Sequence, residues 1–386
     1  MEYITLIMKL NRVLKSRILD QLDTRPSGVI IYGPRQSGKT PLVNDILSEK
    51  GWKTLTLNGD QRGSWWEQIT SRHLPTMKLL LQGYEALFVD EAQRIPEIGL
   101  SLKIILDEFP ELKVIVTGSS SLDLASKVSE PLTGRAYTYK LYPISYVELQ
   151  SSQTPFELNE QLEERIIFGS YPRIFSLSGS QAKGEYLANI TDNYLYRDLL
   201  EFSGIRNSHK IRDLLKLLAF QIGSQVSLSE LAVKLEMSRA TVDSYIDLLE
   251  KSFVIWRLSG FSRNLRKEVI KMDKIYFYDN GIRNMLIGNT NLLNNRDDVG
   301  GLWENFLIME RKKKMEYEGH ICSHYFWRLS SGAELDLVEE ESGKLKGFEF
   351  KFSKKIARTP KSWIEHYPGS SFLTVNRDNW QNFVTS

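Results

Sequence analysis

The chain of 386 residues contains a single cysteine, Cys322, which excludes an internal disulfide and any cysteine-based zinc cluster. No apolar stretch approaches the roughly 18 residues that suggest a membrane span, and the Ile4–Met8 run is too short for a signal-peptide core. An excess of one charge is also missing. Fifty Lys and Arg against 48 Asp and Glu leave +2, which rules out a histone-like polycation. The balance is uneven: 22 basic and 17 acidic residues lie from Lys251 onward, against 28 and 31 before it. A polyanionic partner is therefore expected on the C-terminal part, if anywhere. Hydrophobic residues at 41% and charged residues at 25% exclude long disorder or a fibrous repeat. At about 150 residues per domain, the length predicts two or three domains of a soluble, cytoplasmic protein.

What is present begins with a phosphate loop. Val29–Gly33 reads as a short buried strand that runs into Gly33, Pro34, Arg35, Gln36, Ser37, Gly38, Lys39 and Thr40. Leu42, Val43, Ile46 and Leu47 then repeat at helical spacing. This is G-x-x-x-x-G-K-T between a strand and a helix, the context such a loop requires. Its glycines let backbone N–H groups converge on phosphates, and the helix N-terminus adds its positive end. Lys39 is expected to reach the β- and γ-phosphates, and Thr40 to offer a hydroxyl to Mg2+.

A second apolar strand, Ala86–Val89, ends in Asp90 and Glu91. The pair suits a buried parallel strand whose C-terminal edge meets the ligand crevice. Asp90 is expected to hold Mg2+, and Glu91 to polarise the attacking water. A third strand, Lys113–Gly118, leads to Ser119, so Thr117 or Ser119 is placed to bond the γ-phosphate or the water. The serines equally suit a helix N-cap. Arg135, just ahead of the strand Ala136–Tyr142, is placed to stabilise transition-state charge in a neighbouring subunit.

The combination GPRQSGKT, LFVDEAQRIPE, KVIVTGSSSLDL, LTGRAYTYKLYPIS and FGSYPRIF resembles the AAA-type P-loop ATPases of bacteria and archaea. Within them, it is similar to the family that carries a C-terminal domain of unknown function with PD-(D/E)XK nuclease-like features. The resemblance spans nearly the whole chain. It implies an α/β fold with a parallel sheet in the order 5-1-4-3-2, ATP and Mg2+ as cofactors, and ATP hydrolysis. The expected domains are a P-loop core over 1–150, a helical lid over 151–207, a winged helix over 208–268 and a nuclease-like domain over 269–386.

In the middle of the chain, a helical pattern is broken at Gly169–Pro172, and Arg173 or Arg197 is placed to sense nucleotide from the lid. Beyond it, Leu214–Phe220, Leu231–Leu235 and Val242–Lys251 form three helical patterns. The strand Val254–Leu258, with Ser259-Gly260 and Phe261, predicts the hairpin of a winged helix-turn-helix. Arg239 on its recognition helix is accompanied by Asp243 and Asp247, a poor phosphate footprint. Arg257, Arg263, Arg266 and Lys267 make the wing side more basic, so DNA binding and a packing arm between domains both remain open.

The last part has an amphipathic helix from Leu302 that ends in the Arg311–Lys314 run, then three strands. Glu304, Asp336, Glu349 and Lys351 are the residues a PD-(D/E)XK core would use. A two-residue turn at Ser342-Gly343 sets Asp336 opposite Glu349 and Glu334 opposite Lys351. Strict alternation then sends Leu335, Leu337, Phe348, Phe350 and Phe352 to the other face. Two facing carboxylates repel, which calls for a divalent metal between them or neutralisation by Lys351. Lys351, Lys354, Lys355, Arg358 and Lys361 form a basic cluster that suits a phosphate backbone or a solvated face. The expected activity is Mg2+-dependent ATP hydrolysis coupled to the C-terminal modules. The alternatives are a nucleotide-controlled switch with little turnover and an ATP-regulated, metal-dependent nuclease. DNA or another nucleic acid and a homo-oligomer are the partners these features allow, with no membrane.

Overall fold

The computed structural model describes residues 11–24, 28–118, 132–195, 208–263 and 272–386. The chain divides into two compact units. The first comprises residues 1–143 with Lys251–Phe253, and the second comprises 144–250 with 254–386. The helices that follow Pro143, expected as a lid, cluster with the second unit.

Helix α1 (Leu14–Thr24) opens the first unit, followed by β1 (Gly28–Tyr32) and α2 (Lys39–Lys50). Strand β2 (Thr54–Asn58) and two short helices, Trp65–Thr70 and Leu74–Leu81, lead to β3 (Ala86–Asp90). Helix α3 (Ile98–Glu108), β4 (Lys113–Gly118) and β5 (Ala136–Lys140) complete it. The five strands are parallel in the order β2-β3-β4-β1-β5, which is the expected 5-1-4-3-2 sheet. Every residue of β1 and β3 is buried, because a parallel strand covered on both faces is an unbroken apolar run. Truncating a core residue such as Ile30 to Ala costs about 2–5 kcal/mol. Rigid packing here matters for function, since the ends of β1 and β3 carry the site.

The second unit starts with short helices, among them α4 (Leu162–Phe168), broken after Phe168 as expected. Then come α5 (Ser208–Phe220), β6 (Gln225–Val226), α6 (Leu228–Lys234), α7 (Arg239–Lys251), β7 (Ile255–Leu258) and β8 (Asp273–Phe277). The strands form an antiparallel sheet in the order β6-β8-β7. The hairpin partner of β7 is thus β8, not the segment at Phe261. Ser259 and Phe261 instead exchange backbone hydrogen bonds with Phe326, and Phe261 enters a core with Trp327, Trp363 and Tyr367. Burial of an aromatic ring outweighs the local turn signal of Ser259-Gly260.

Helix α8 (Asn280–Leu286) and helix α9 (Val299–Glu318) precede strands β9 (Cys322–Arg328), β10 (Glu334–Glu341), β11 (Lys344–Phe350) and β12 (Ser371–Val375). Their sheet runs β12-β11-β10-β9, with only β11 and β12 parallel. Helix α9 does not end at the Arg311–Lys314 run but continues to Glu318, and all four cations of that run are buried. Arg311 holds Glu339 through two hydrogen bonds of 2.7 and 3.0 Å. Lys313 pairs with Glu310 at 2.9 Å, Lys314 with Glu318 at 3.0 Å, and Lys312 with Glu316.

The β10–β11 register follows the expected turn: Glu341 faces Lys344 and Leu337 faces Phe348, with Ser342 and Gly343 both at positive φ. Strict alternation does not survive, because the register against β9 shifts between Leu335 and Val338. Leu335 thereby joins Val338 and Leu345 in one core cluster, which lacks the Leu337, Phe348 and Phe350 expected beside it. Such a bulge re-aims the side chains beside it, and here the residue beside it is Asp336.

Candidate functional site

At the C-terminal end of β1, the chain must leave the sheet beside Leu141. A Cβ on Gly33 would lie 2.0 Å from the Leu141 carbonyl oxygen, so no side chain fits there. The loop then turns into α2 with Ser37 fully buried and its Oγ without a hydrogen-bond partner. Lys39 is buried as well, and its Nζ donates to the carbonyls of Gly33 and Pro34, each at 2.9 Å. The ammonium is therefore turned into the loop, onto its own backbone carbonyls.

Next to it, the Thr40 hydroxyl donates to Asp90 at 3.0 Å, and Thr117 donates to the same carboxylate. The ends of β3 and β4 and the first turn of α2 thus meet at Asp90. Thr117, expected to bond the γ-phosphate or the water, donates its proton to Asp90; Ser119 lies outside the described residues. Glu91 follows in a left-handed conformation at φ 49°, and Gln93 donates to its Oε2 at 2.5 Å.

Two residues at this site escaped the sequence reading. Gly59 donates its N–H to the Asp90 carbonyl at 2.8 Å, and a Cβ there would come within 2.3 Å of the Glu91 carbonyl. Arg12 is buried, and its guanidinium donates to the Ser37 carbonyl and to the Tyr142 carbonyl, each at 2.7 Å. The signal available for Gly59 was its position just after an apolar strand; Arg12 had none.

Arg135 pairs with Asp107 of its own chain at 2.5 Å. Arg35 and Gln36 sit in the loop, the latter at φ 61°. The guanidinium of Arg173 lies over the Tyr186 ring at 5.6 Å, and Arg197 falls outside the described residues.

The second unit holds a separate ionic cluster. Glu304 from α9 accepts Lys274 Nζ at 3.0 Å and the Tyr276 hydroxyl, both from β8. Lys274 Nζ also lies 3.7 Å from Asp336 Oδ1, while Asp336 Oδ2 accepts the Phe350 N–H at 2.8 Å. Lys351 pairs with Glu349 at 2.7 Å. Burial, then repulsion from Asp336, pushes the Glu304 carboxyl up to about 7 against the pull of Lys274. Burial also raises Asp336, and burial followed by Asp336 raises Glu349. For Lys274, burial works downward, but Glu304 and Asp336 together hold its pKa above the usual value. The four residues expected to form a nuclease-like site are thus gathered, with an unforeseen lysine among them. Among the described residues, no group of three or more His, Cys, Asp or Glu is arranged to hold a metal ion.

The basic residues of the β7 side are largely engaged. Arg257 is paired with Asp243 at 2.9 Å, with Glu250 at 3.2 Å and with Asp247. Arg263 meets Glu340 at 3.5 Å; Arg266 and Lys267 lie outside the described residues. Of the cluster after β11, Lys354 pairs with Asp378, while Lys355, Arg358 and Lys361 are exposed. No described helix is long and apolar enough to cross a membrane.

Comparison with known proteins places three family models on the chain: an AAA domain over residues 25–150, a domain of unknown function (DUF8612) over 159–293 and a domain of unknown function (DUF4143) over 299–379. The chain is 29% identical over 328 residues to the uncharacterized protein Rv2008c of Mycobacterium tuberculosis, covering 84% of this chain and 70% of that one. It is 25% identical over 304 residues to the uncharacterized protein MJ1544 of Methanocaldococcus jannaschii, covering 74% and 66%. Among solved structures, the Walker-type ATPase PABY2304 of Pyrococcus abyssi matches with TM-score 0.49 and 16% identity over 72% of this chain and 95% of that one. The first unit carries an AAA-type P-loop fold with a parallel five-stranded sheet, and a separate strand-rich domain closes the chain.

Proposed function

We propose that the chain binds ATP together with Mg2+ and hydrolyses it. The observation that carries this reading is the meeting of Lys39, Thr40, Asp90 and Glu91 at the ends of β1 and β3. The buried, unpartnered Ser37 Oγ and a buried lysine that donates to the Gly33 and Pro34 carbonyls suit a polyphosphate, which accepts charge-assisted hydrogen bonds from both. An alcohol and a carboxylate side by side are hard oxygen donors that fit Mg2+. When bound, that ion would neutralise charge on the phosphate oxygens. Lys39 would turn from the Gly33 and Pro34 carbonyls to the β- and γ-phosphates. Thr117 positions Asp90, and Glu91, steadied by Gln93, takes the proton of the attacking water.

Coupling to the second unit is part of the same proposal. The chain leaves the first unit after Pro143, and Lys251–Phe253 of that unit interrupts the second. Arg12 joins the loop carbonyl of Ser37 to the Tyr142 carbonyl, and the Tyr142 ring packs edge-on against Phe253 at 6.4 Å. A loop rearranged by phosphate would thus bear on Phe253. The three helices and three strands over 208–277 read as a winged helix, and its engaged arginines favour a packing arm over DNA binding.

Phosphate release by wild type and Glu91→Gln tests the reading. Turnover in wild type, lost in a Glu91→Gln protein that still binds ATP, is the expected result. Tight ATP binding without turnover in wild type would instead favour a nucleotide-controlled switch.

A further inference from the structure

We infer that Lys274 is the resident cation of the Glu304–Asp336–Glu349 cluster, so that the C-terminal domain takes no divalent ion there. Its ammonium lies 3.0 Å from Glu304 and 3.7 Å from Asp336, between carboxylates supplied by a helix and a strand that are far apart in sequence. Its side chain is only 8% exposed, so the charge has left water and needs these partners.

One oxygen of each carboxylate is already engaged. Glu304 Oε1 accepts both Lys274 and Tyr276, Asp336 Oδ2 accepts the Phe350 amide, and Glu349 Oε1 accepts Lys351. A divalent ion demands carboxylate oxygens at about 2.0–2.6 Å and would have to stand where the ammonium stands. Two like-charged cations cannot share that space. Lys274 and Lys351 supply two positive charges to the three carboxyl groups without any ion from solution.

This arrangement has two effects. With its cluster occupied by lysine, the domain lacks there the metal-bound water that a PD-(D/E)XK nuclease would use on a phosphodiester. The ammonium also clamps β8, and with it the β6-β8-β7 sheet, to α9 and β10. A residue usually looked for as a ligand position is here a structural ion pair.

Replacement of Lys274 by an uncharged side chain should open a true cation site, because buried carboxylates left without a partner recruit one. The experiment is a Mn2+ titration of the nucleotide-free full chain by calorimetry and electron paramagnetic resonance. Wild type should show no Mn2+ binding that depends on Asp336. Lys274→Met, folded by circular dichroism, should take up one equivalent at least tenfold more tightly than wild type. Lys274→Met/Asp336→Asn should lose it.

Lys274→Gln serves as a second variant should the Met form be unstable; if neither folds, the wild-type titration decides. Mn2+ bound by wild type and lost in Asp336→Asn would overturn the inference. So would a folded Lys274→Met that binds no more Mn2+ than wild type, or Mn2+-dependent nucleic-acid cleavage by wild type that Asp336→Asn abolishes.

Discussion

Thr40 Oγ1 lies 3.0 Å from Asp90 Oδ2, so the first turn of α2 and the last residue of β3 are joined before any ligand arrives. Preorganisation of this kind removes an ordering cost from binding. Asp90→Asn should keep the fold but weaken Mg2+-dependent nucleotide affinity by at least tenfold, with little change in EDTA. Fluorescent-nucleotide titration with and without Mg2+ reads this directly; equal weakening in both would mean that Asp90 shapes the loop only.

Lys39→Ala should abolish nucleotide binding, whereas Glu91→Gln should retain it and lower turnover by about 10²-fold or more, the usual size of a general-base contribution. Single-turnover hydrolysis at saturating ATP separates the two. Undiminished turnover in Glu91→Gln would show that another group handles the water.

Arg12 donates to two backbone carbonyls, at Ser37 and Tyr142. Its loss leaves two buried acceptors unsatisfied, a penalty of about 1–3 kcal/mol each. Arg12→Ala should therefore raise the ATP dissociation constant and also weaken any change that ATP causes in the proteolysis of residues 251–253. Normal affinity with a normal proteolytic response would remove Arg12 from the proposed path.

Arg135 is engaged by Asp107 within its own chain. A role across a subunit interface requires that pair to open, so Asp107→Asn should raise turnover per chain at high protein concentration, and Arg135→Ala should lower it. Concentration-independent turnover in all three proteins, together with a monomer by sizing, would exclude a trans role.

The His324 side chain, on β9, is largely covered, with Nε2 3.8 Å from Glu339 and with Lys312 and Glu316 also nearby. Burial pushes its pKa down to about 4, against the pull of Glu339. Between pH 6.5 and 4 the unfolded chain binds a proton that the fold rejects. The stability contributed by neutral His324 is thus full above pH 6.5 and lost as pH falls, by about 3 kcal/mol at most. Glu304, pushed up to about 7, works in the opposite sense, losing stability as pH rises. The readout is therefore the difference between wild type and His324→Gln in urea denaturation, which should shrink as pH falls from 7 to 4. A constant difference would show that His324 does not titrate in this way.

Much of the first unit was legible because its signals are contiguous. The residues Gly33–Thr40 follow one another, and β1, β3 and β4 are unbroken apolar runs with turn residues at their ends. The β10–β11 register was legible for the same reason: two adjacent residues set the turn. Arg12 was not, since it acts on carbonyls 25 and 130 residues away. Lys274 was hidden because the partner of the Val254–Leu258 strand was placed at Phe261, whereas β7 pairs with β8, the strand that carries Lys274. Alternation could not foresee the shift beside Asp336, which arises from packing against β9.

The inward-facing cations of α9 also act as a rotational key. A helix with a plain apolar face can slip or turn and still find oil to rest on. Turning α9 by one residue, about 100°, would carry Arg311 away from Glu339 and break the pair that holds its buried guanidinium. Of all the seats that its hydrophobic residues would accept, the charges leave α9 only one.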